Sequence, residues 1–261
     1  MIKIMAGIQK GGVGKSTTAS VLSEILAASG YKVLAVDLDS QGNTTQMLTQ
    51  KNIYDFSGST IFEALKELNP NPYIVSIKEN LDLLPAEDML STFSRYIYTH
   101  RIQAPAKVLT ETLNELEKEY DFVVMDCPPN LGDIVINAIA CSDYIIVPVQ
   151  LEPFSMDALD RFLAIVEEAK EEGYTTAKLL GIAFTMVDRR NAINKSVGNV
   201  IREKYGSTVF KSEIRMRAKL KEFTLTGTLM SKKAEVDALQ DYINLAEELI
   251  QRVKEDQRNR G

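Results

Sequence analysis

The sequence predicts an α/β fold in which a mostly parallel, twisted sheet is covered by helices on both faces. The main observation is that short apolar, β-branched runs alternate with segments of helical periodicity along most of the chain. A chain of 261 residues is long enough for one large domain. Since no internal repeat and no Pro/Gly/Ser-rich linker divides it, we expect a single domain spanning residues 1–261.

The individual elements are predicted from the same two patterns. The predicted strands are the apolar, β-branched runs 2–8, 32–38, 81–84, 122–126, 144–149 and 180–187. The predicted helices are the amphipathic stretches 16–29, 107–119, 156–172 and 194–205. Apolar residues at helical spacing also predict a closing helix over 235–255 that docks on the body. The purely polar segment 254–261 is expected to fray.

Composition excludes several classes of protein. With 45% hydrophobic and 25% charged residues, the chain is neither collagen-like, of low complexity nor mostly disordered. No apolar run approaches the roughly 18 residues of a membrane span, and glycines interrupt the N-terminus before a signal-peptide core could form. The two cysteines, Cys127 and Cys141, form neither a disulfide framework nor a CxxC pair. We therefore expect a protein of the reducing cytoplasm.

Charge is distributed unevenly along the chain. The net charge is −6, yet the stretch 189–233 contains twelve Lys and Arg against three acidic residues, a formal charge of +9. A basic stretch on an otherwise acidic protein can bind a polyanion, while the rest of the protein remains soluble. A solvated surface is the other interpretation, and charge alone leaves both open.

A glycine-rich loop follows the first predicted strand and precedes a helix, which is the arrangement of a phosphate-binding loop. Its glycines allow consecutive backbone N–H groups to turn toward phosphate oxygens, and the helix dipole adds to the attraction. Lys15 supplies positive charge to the β- and γ-phosphates, and the Ser16 hydroxyl is placed to bind Mg²⁺. Gln9 stands where a strict phosphate loop has glycine. The predicted nucleotide-binding residues are Lys10, Gly11, Gly12, Val13, Gly14, Lys15, Ser16 and Thr17.

Carboxylates end two of the predicted strands. Asp126 follows a buried run, where it suits a magnesium ligand acting through water. Asp37 and Asp39 lie at the end of another strand, and their spacing puts them on one side of it. Both could therefore reach the metal and the attacking water, although capping of a loop explains each of them taken singly.

The guanine-reading pattern Asn-Lys-x-Asp is incomplete in this chain. Asn194 and Lys195 begin it, but Val197 stands where the pattern has Asp. GTP is therefore less favoured, although this observation does not by itself establish ATP.

The loop KGGVGKST at 10–17 resembles that of the deviant-Walker ATPases, the superfamily of ParA, MinD and the nitrogenase iron protein. Four further motifs narrow the resemblance to the ParA/Soj partition ATPases. They are DLDSQGN at 37–43, DCPPNLG at 126–132, VPVQ at 147–150 and TMVDRR at 185–190. The resemblance therefore covers nearly the whole chain.

This resemblance implies a P-loop ATPase that forms a nucleotide-sandwich homodimer with ATP and Mg²⁺. Lys10 would reach the partner's phosphates, Lys15 would neutralise charge, and Asp39 would position the lytic water. Gly11 lies where family backbones pack closely across the dimer. Slow basal turnover is implied, with stimulation by a centromere-binding ParB-type protein.

For DNA, the resemblance points to Arg190 and Lys219, both of which lie inside the basic stretch. Arg189, Arg215 and Arg217 are further candidates in that stretch. Contacts with phosphates imply binding to double-stranded DNA that is independent of sequence and sensitive to salt. The resemblance thus implies a nucleoid-associated protein.

The chain departs from the family pattern at a few positions. Ser40 and Arg215 replace prolines, and Asn130 replaces a serine. The departures at Asn130 and Arg215 flank nucleotide or switch regions, which puts the base contacts there in doubt. The sequence begins directly at the first strand, so the operator-reading helix-turn-helix domain of longer partition proteins is not expected.

Other members of the superfamily make weaker alternatives. A MinD-like membrane ATPase needs an amphipathic C-terminal helix, but no bulky apolar residue follows Val253. A metal carrier of this superfamily needs cysteines that bridge a dimer. A tyrosine kinase needs a cluster of tyrosines near the C-terminus, where this chain has only Tyr242. A DNA-binding scaffold without activity would have a defective nucleotide site. His100 is the single histidine and is expected at the surface.

Overall fold

The computed structural model describes residues 1–100, 102–226 and 233–260. Its eight-stranded sheet has the order β3-β4-β2-β5-β1-β6-β7-β8, and every neighbouring pair is parallel except β3 with β4. The strands are β1 Ile2–Ala6, β2 Val33–Asp37, β3 Val75–Lys78, β4 Leu81–Leu84, β5 Phe122–Asp126, β6 Tyr144–Gln150, β7 Lys178–Val187 and β8 Val209–Arg215.

Helices cover both faces of this sheet. They are α1 Lys15–Ala28, α2 Asn43–Thr49, α3 Ile61–Glu67, α4 Phe93–Thr99, α5 Val108–Asn114, α6 Asp133–Cys141, α7 Ser155–Glu171, α8 Ala192–Tyr205, α9 Ala218–Thr226 and α10 Lys233–Arg260. One apolar core lies between the sheet and α1, α9 and α10, and the other between the sheet and α3 through α8. The predicted α/β class is confirmed. Within the described residues, no helix is long and apolar enough to cross a membrane.

Two strands and several helices were not predicted, and the two strands have a weak sequence signal. β3 and β8 are the edge strands of the sheet. Residues of β3 alternate between half-buried and exposed, and β8 contains four charged or polar residues among seven. An edge strand buries less of its surface than a central one, so the apolar run that predicts a strand is missing.

Two predicted boundaries are wrong. The helix predicted over 107–119 ends at Asn114, because the Asn71 side chain binds the following backbone at Glu115 O (2.7 Å) and Glu117 N (3.0 Å). The tail expected to fray from 254 is helical as far as Arg260, since α10 continues to that residue. Gly261, and Lys232 of the basic stretch, lie outside the described residues.

Candidate nucleotide site and basic surface

The loop between β1 and α1 lies at the centre of the sheet, since β1 pairs with β5 on one side and β6 on the other. Gly14 is the N-cap of α1 with φ 83°, and Gly12 has φ 73°, so both adopt the left-handed conformation that favours glycine. A Cβ atom built on Gly11 or Gly12 meets no described atom within 4 Å. The loop therefore presents an open face at the N-terminus of a long helix, as phosphate binding requires.

Lys15 lies at the start of α1 and is buried. Its Nζ donates a hydrogen bond to the Lys10 carbonyl oxygen at 2.8 Å. Burial lowers the pKa of Lys15, and the nearby carboxylates of Asp126 and Asp39 oppose that change. The structure therefore brings together the ammonium group and the two carboxylates that the sequence predicted for one site.

Asp126 is fully buried at the end of β5. Its Oδ2 accepts a hydrogen bond from Thr44 Oγ1 at 2.8 Å, whereas its Oδ1 is buried without a partner among the described residues. Burial raises the pKa of Asp126 to about 6, against hydrogen bonds from Ser16 and Thr44 that lower it.

These residues fit a magnesium ion. A buried carboxylate oxygen that lacks a donor, next to the hydroxyl of Ser16, offers the hard oxygen atoms that Mg²⁺ prefers. No group of three or more His, Cys, Asp or Glu in the described ranges could hold a metal alone. An ion held by Ser16 and Asp126 therefore suits a site that is completed by phosphate oxygens and water.

Asp37 has a different environment from the other two carboxylates. Its Oδ1 accepts the Asp39 N–H at 3.1 Å, and its Oδ2 accepts the N–H and the hydroxyl of Thr45, both at 2.7 Å. Burial, together with the charge of Asp126, raises its pKa well above the ordinary value. These contacts assign Asp37 to holding the loop after β2, and they do not support the prediction that it binds the metal.

Asp39 is held by that loop. The backbone N–H of Asp39 donates to the Asp37 side chain, and Asp39 Oδ1 accepts a hydrogen bond from the Gln41 N–H at 3.0 Å. Gly42 closes the turn with φ 60°, and a Cβ atom there would lie 2.4 Å from Ile53 Cγ2. The position of Asp39 therefore depends on a turn that only glycine fits.

Lys10 contacts its own chain. Its Nζ donates to Glu152 Oε2 at 3.2 Å and to Ser155 Oγ at 3.0 Å, in the turn between β6 and α7. The cross-dimer role of Lys10 stays a prediction, and so does the close packing at Gly11.

Sequence reasoning missed four residues of this site. Thr44 and Thr45 hold Asp126 and Asp37, while Glu152 and Ser155 hold Lys10. The consecutive threonines directly after DLDSQGN were a usable signal, because hydroxyl residues at a helix start often bind nearby backbone or carboxylates. The Lys10 partners lie more than 140 residues away, and no local pattern marks them.

A cavity of about 320 Å³ opens beside the phosphate loop. It touches Gly12, Gly14 and Thr17 on one side and the turn between β8 and α9 on the other. Apolar walls with a few polar groups suit a nucleoside base, and these walls include Met186, Met216, Leu220 and Tyr242. A larger groove of about 760 Å³ lies by the start of β6 and β7, at the opposite edge from the loop.

The basic residues separate into two groups. Arg190, Arg189 and Lys219 follow the carboxyl ends of β7 and β8, and their side chains are 95%, 67% and 43% exposed. They pair with acidic neighbours at the surface, Lys219 with Glu222. Arg215 and Arg217 instead contact Asp241 of α10 and line the cavity beside the loop. These two side chains therefore lie at the nucleotide side of the turn, although the sequence proposed them for DNA.

Comparisons with known proteins agree with this geometry. The AAA domain family model matches residues 1–180. The chromosome-partitioning ATPase Soj of Thermus thermophilus is 33% identical over 258 residues, which cover 97% of this chain and 97% of that protein.

Solved structures resemble the chain over nearly its whole length. A plasmid partition protein of Borrelia burgdorferi bound to AMPPNP has a TM-score of 0.79 and 27% identity, covering 98% of this chain and 99% of that one. A cobyrinic acid a,c-diamide synthase of Mycobacterium smegmatis, with bound ATP analog and magnesium, has a TM-score of 0.82 and 26% identity, covering 97% and 96%. These solved structures therefore share the fold of this chain over nearly its whole length.

Proposed function

Because this chain belongs to the ParA/Soj family of P-loop ATPases, we propose that it segregates DNA through an ATP-bound dimer that holds DNA and releases it on hydrolysis. The protein is an ATPase, and ATP and Mg²⁺ are its nucleotide and metal. One observation carries the proposal: exposed cations and the nucleotide site lie at the same edge of one sheet. Nucleotide state and DNA contact are therefore close enough to be linked.

Within the nucleotide site, catalysis rests on positioning and on charge. Lys15 neutralises charge that develops on the phosphates, and the open N–H groups of the glycine loop orient them. Ser16 and Asp126 hold the metal, which neutralises phosphate charge when bound. Asp39 orients the attacking water, and its turn at Gly42 keeps it in place.

Dimerisation places a second copy against the open loop face. Gly11 has space for close approach, since no described atom lies within 4 Å of a Cβ atom at that residue. Lys10 leaves Glu152 and Ser155 and reaches the phosphates bound by the other copy. Two nucleotides are then enclosed between two loops, so that ATP controls whether the copies stay together.

DNA binding follows from joining two modest basic surfaces. Arg190, Lys219 and Arg189 on each copy contact phosphates, which gives binding without sequence preference. Two linked surfaces on one polyanion act at high effective concentration, so affinity rises steeply on dimerisation without any new kind of contact. The protein is then held on nucleoid DNA in the cytoplasm while ATP is intact.

Release requires faster hydrolysis than the isolated site provides. Sites of this kind accelerate when a missing cationic group is supplied by another protein. A centromere-binding protein of the ParB type supplies it here, and hydrolysis returns the protein to a weakly binding state.

The test is fluorescence anisotropy of two unrelated labelled duplexes with ATP, ADP or no nucleotide. We expect wild-type protein to bind both equally and only with ATP, and the Arg190→Glu, Lys219→Glu double variant to lose this binding while keeping affinity for fluorescent ATP. The matched control reverses Lys51 and Lys107, lysines outside the basic stretch that carry the same charge. Equal loss in both double variants, or binding that ignores ATP, would contradict the proposal.

A further inference from the structure

A buried carboxylate on α10 holds the turn between β8 and α9. The Asp241 side chain is only 7% exposed and accepts hydrogen bonds from Arg215 N (3.2 Å), Nε (3.0 Å) and Nη2 (2.6 Å). Arg217 Nε lies 3.5 Å from the same carboxylate and has no hydrogen-bond partner among the described residues. Burial raises the pKa of Asp241, but the bonds from Arg215 outweigh it and hold the pKa below the ordinary value.

The next residue of α10 contacts the helix that follows the phosphate loop. The Tyr242 hydroxyl lies 3.3 Å from Thr18 Oγ1, and both side chains are buried. Thr17, the neighbour of Thr18, lines the cavity beside the loop. Two successive residues of α10 therefore connect the phosphate-loop helix with the β8–α9 turn across the cavity.

The turn belongs to both proposed sites. Arg215, Met216 and Arg217 form one wall of the cavity opposite Gly12 and Gly14. The chain then enters α9 at Ala218 without a linker, and the second residue of that helix is Lys219. The cavity wall and a proposed DNA contact thus lie two residues apart in the chain.

We propose that Asp241 is a positioning residue that fixes the β8–α9 turn through Arg215 and Arg217, and so couples nucleotide in the cavity to the placement of Lys219. This inference rests on the proposed function. A ligand shifts an equilibrium only when it contacts the two arrangements differently. A nucleotide in the cavity would contact the turn directly, because the turn lines the cavity, and Asp241 on α10 holds the turn in the arrangement of this structure.

The experiment compares Asp241→Asn with Asp256→Asn. Asp256 is a matched control on the same helix, where it accepts hydrogen bonds from Lys178 and Tyr144 far from the phosphate loop. We expect Asp241→Asn to weaken fluorescent ATP about tenfold and to reduce the ratio of DNA affinity with and without ATP about tenfold. Asp256→Asn should change neither, although thermal unfolding should show a comparable loss of stability. Asp241→Glu, which restores the carboxylate, should recover part of both losses.

A second variant protects the test against misfolding. Arg215→Gln breaks the same ion pair with Asp241, but it changes the more exposed partner, whose side chain is 42% exposed. If the residues act through each other, the double variant should lose no more than the larger single loss. Wild-type nucleotide affinity and wild-type gating in both single variants would overturn the inference.

Failure of the proposed function gives a different pattern. Wild-type protein would then bind no DNA with ATP, and the fluorescent-ATP measurement would still decide whether Asp241 positions the cavity wall. An unchanged affinity for ATP in Asp241→Asn would overturn the inference in that case too.

Discussion

The carboxyl ends of β2 and β5 carry Asp39 and Asp126, which are buried, whereas those of β7 and β8 lead to Arg190 and Lys219, whose side chains are exposed. Both pairs lie at one edge of the same sheet. Asp39 accepts a hydrogen bond from the Gln41 N–H in the loop after β2, and Asp126 accepts one from Thr44 at the start of α2, while the Arg190 side chain makes a 3.6 Å ion contact with Asp188 at the surface.

This edge of the sheet has a nucleotide half at β2 and β5 and a basic half at β7 and β8, and the two halves meet different requirements. Hydrolysis needs reacting groups in fixed places, so each charged side chain of the nucleotide half is held by other residues. Attraction of a DNA backbone needs charge near a surface, and a mobile exposed cation supplies it. Single changes should therefore be severe in the nucleotide half and graded at the basic surface.

The largest effect is expected at Lys15. Lys15→Ala removes the buried ammonium that balances Asp39, Asp126 and the phosphates, so hydrolysis should fall about 1000-fold. Phosphate release with purified protein measures it, and circular dichroism checks that the variant is folded. Hydrolysis within tenfold of wild type would contradict the expectation that single changes are more severe in the nucleotide half than at the basic surface.

A change in the turn that holds Asp39 should come next. Gly42→Ala adds a Cβ 2.4 Å from Ile53 Cγ2 and 3.2 Å from the Ala86 carbonyl oxygen, at a φ of 60°. The expected loss in free energy of unfolding is about 2–4 kcal/mol, measured in urea. The control is Gly58→Ala, which has φ 77° but open space and should cost about 1 kcal/mol. Equal costs would mean that the turn has room for a side chain.

The Thr44 hydroxyl supports Asp126, which is one of the proposed metal ligands. Thr44→Val removes the donor to Asp126 Oδ2 and leaves Ser20 Oγ without its acceptor. Hydrolysis at low Mg²⁺ should fall about tenfold, and the Mg²⁺ concentration at half-maximal rate should rise. Thr44→Ser keeps the hydroxyl and should behave as wild type; if it fails equally, packing rather than the hydroxyl is what matters.

The smallest effect is expected at the basic surface. Arg190→Gln should weaken DNA about threefold to tenfold on any sequence and lower the slope of log affinity against log salt by about 1. Lys178→Gln, an exposed cation at the other end of β7, is the control and should leave the slope unchanged. A loss confined to one duplex would point to base readout instead.

Local patterns predicted which charged groups the structure brings together beside the glycine-rich loop. The phosphate loop, Asp39 and Asp126 each lie at the end of an apolar strand, so the strand itself marks the position of the polar residue. Because parallel strands end at one edge of a sheet, motifs that are far apart in the chain could be assigned to one site from sequence alone.

Contacts between distant elements could not be predicted in this way. Arg215 and Arg217 carry the same charge as Arg190, and only the approach of Asp241 on α10 separates their surroundings. Lys10 likewise gains Glu152 through the neighbouring strand rather than through local sequence. Charge counting identified the basic stretch, but packing decides which of its residues contact Asp241 and line the cavity.

We propose that nucleotide state controls DNA binding through dimerisation. The most direct measurement is the DNA affinity of Asp39→Ala with ATP, ADP and no nucleotide, across a salt series and on two unrelated duplexes. This variant lacks the carboxylate that we propose to orient water, so ATP should stay intact and hold the dimer. We predict tight binding with ATP alone, equal on both duplexes and weakening with salt. Binding that is independent of ATP, or no binding to DNA in any state, would contradict the account.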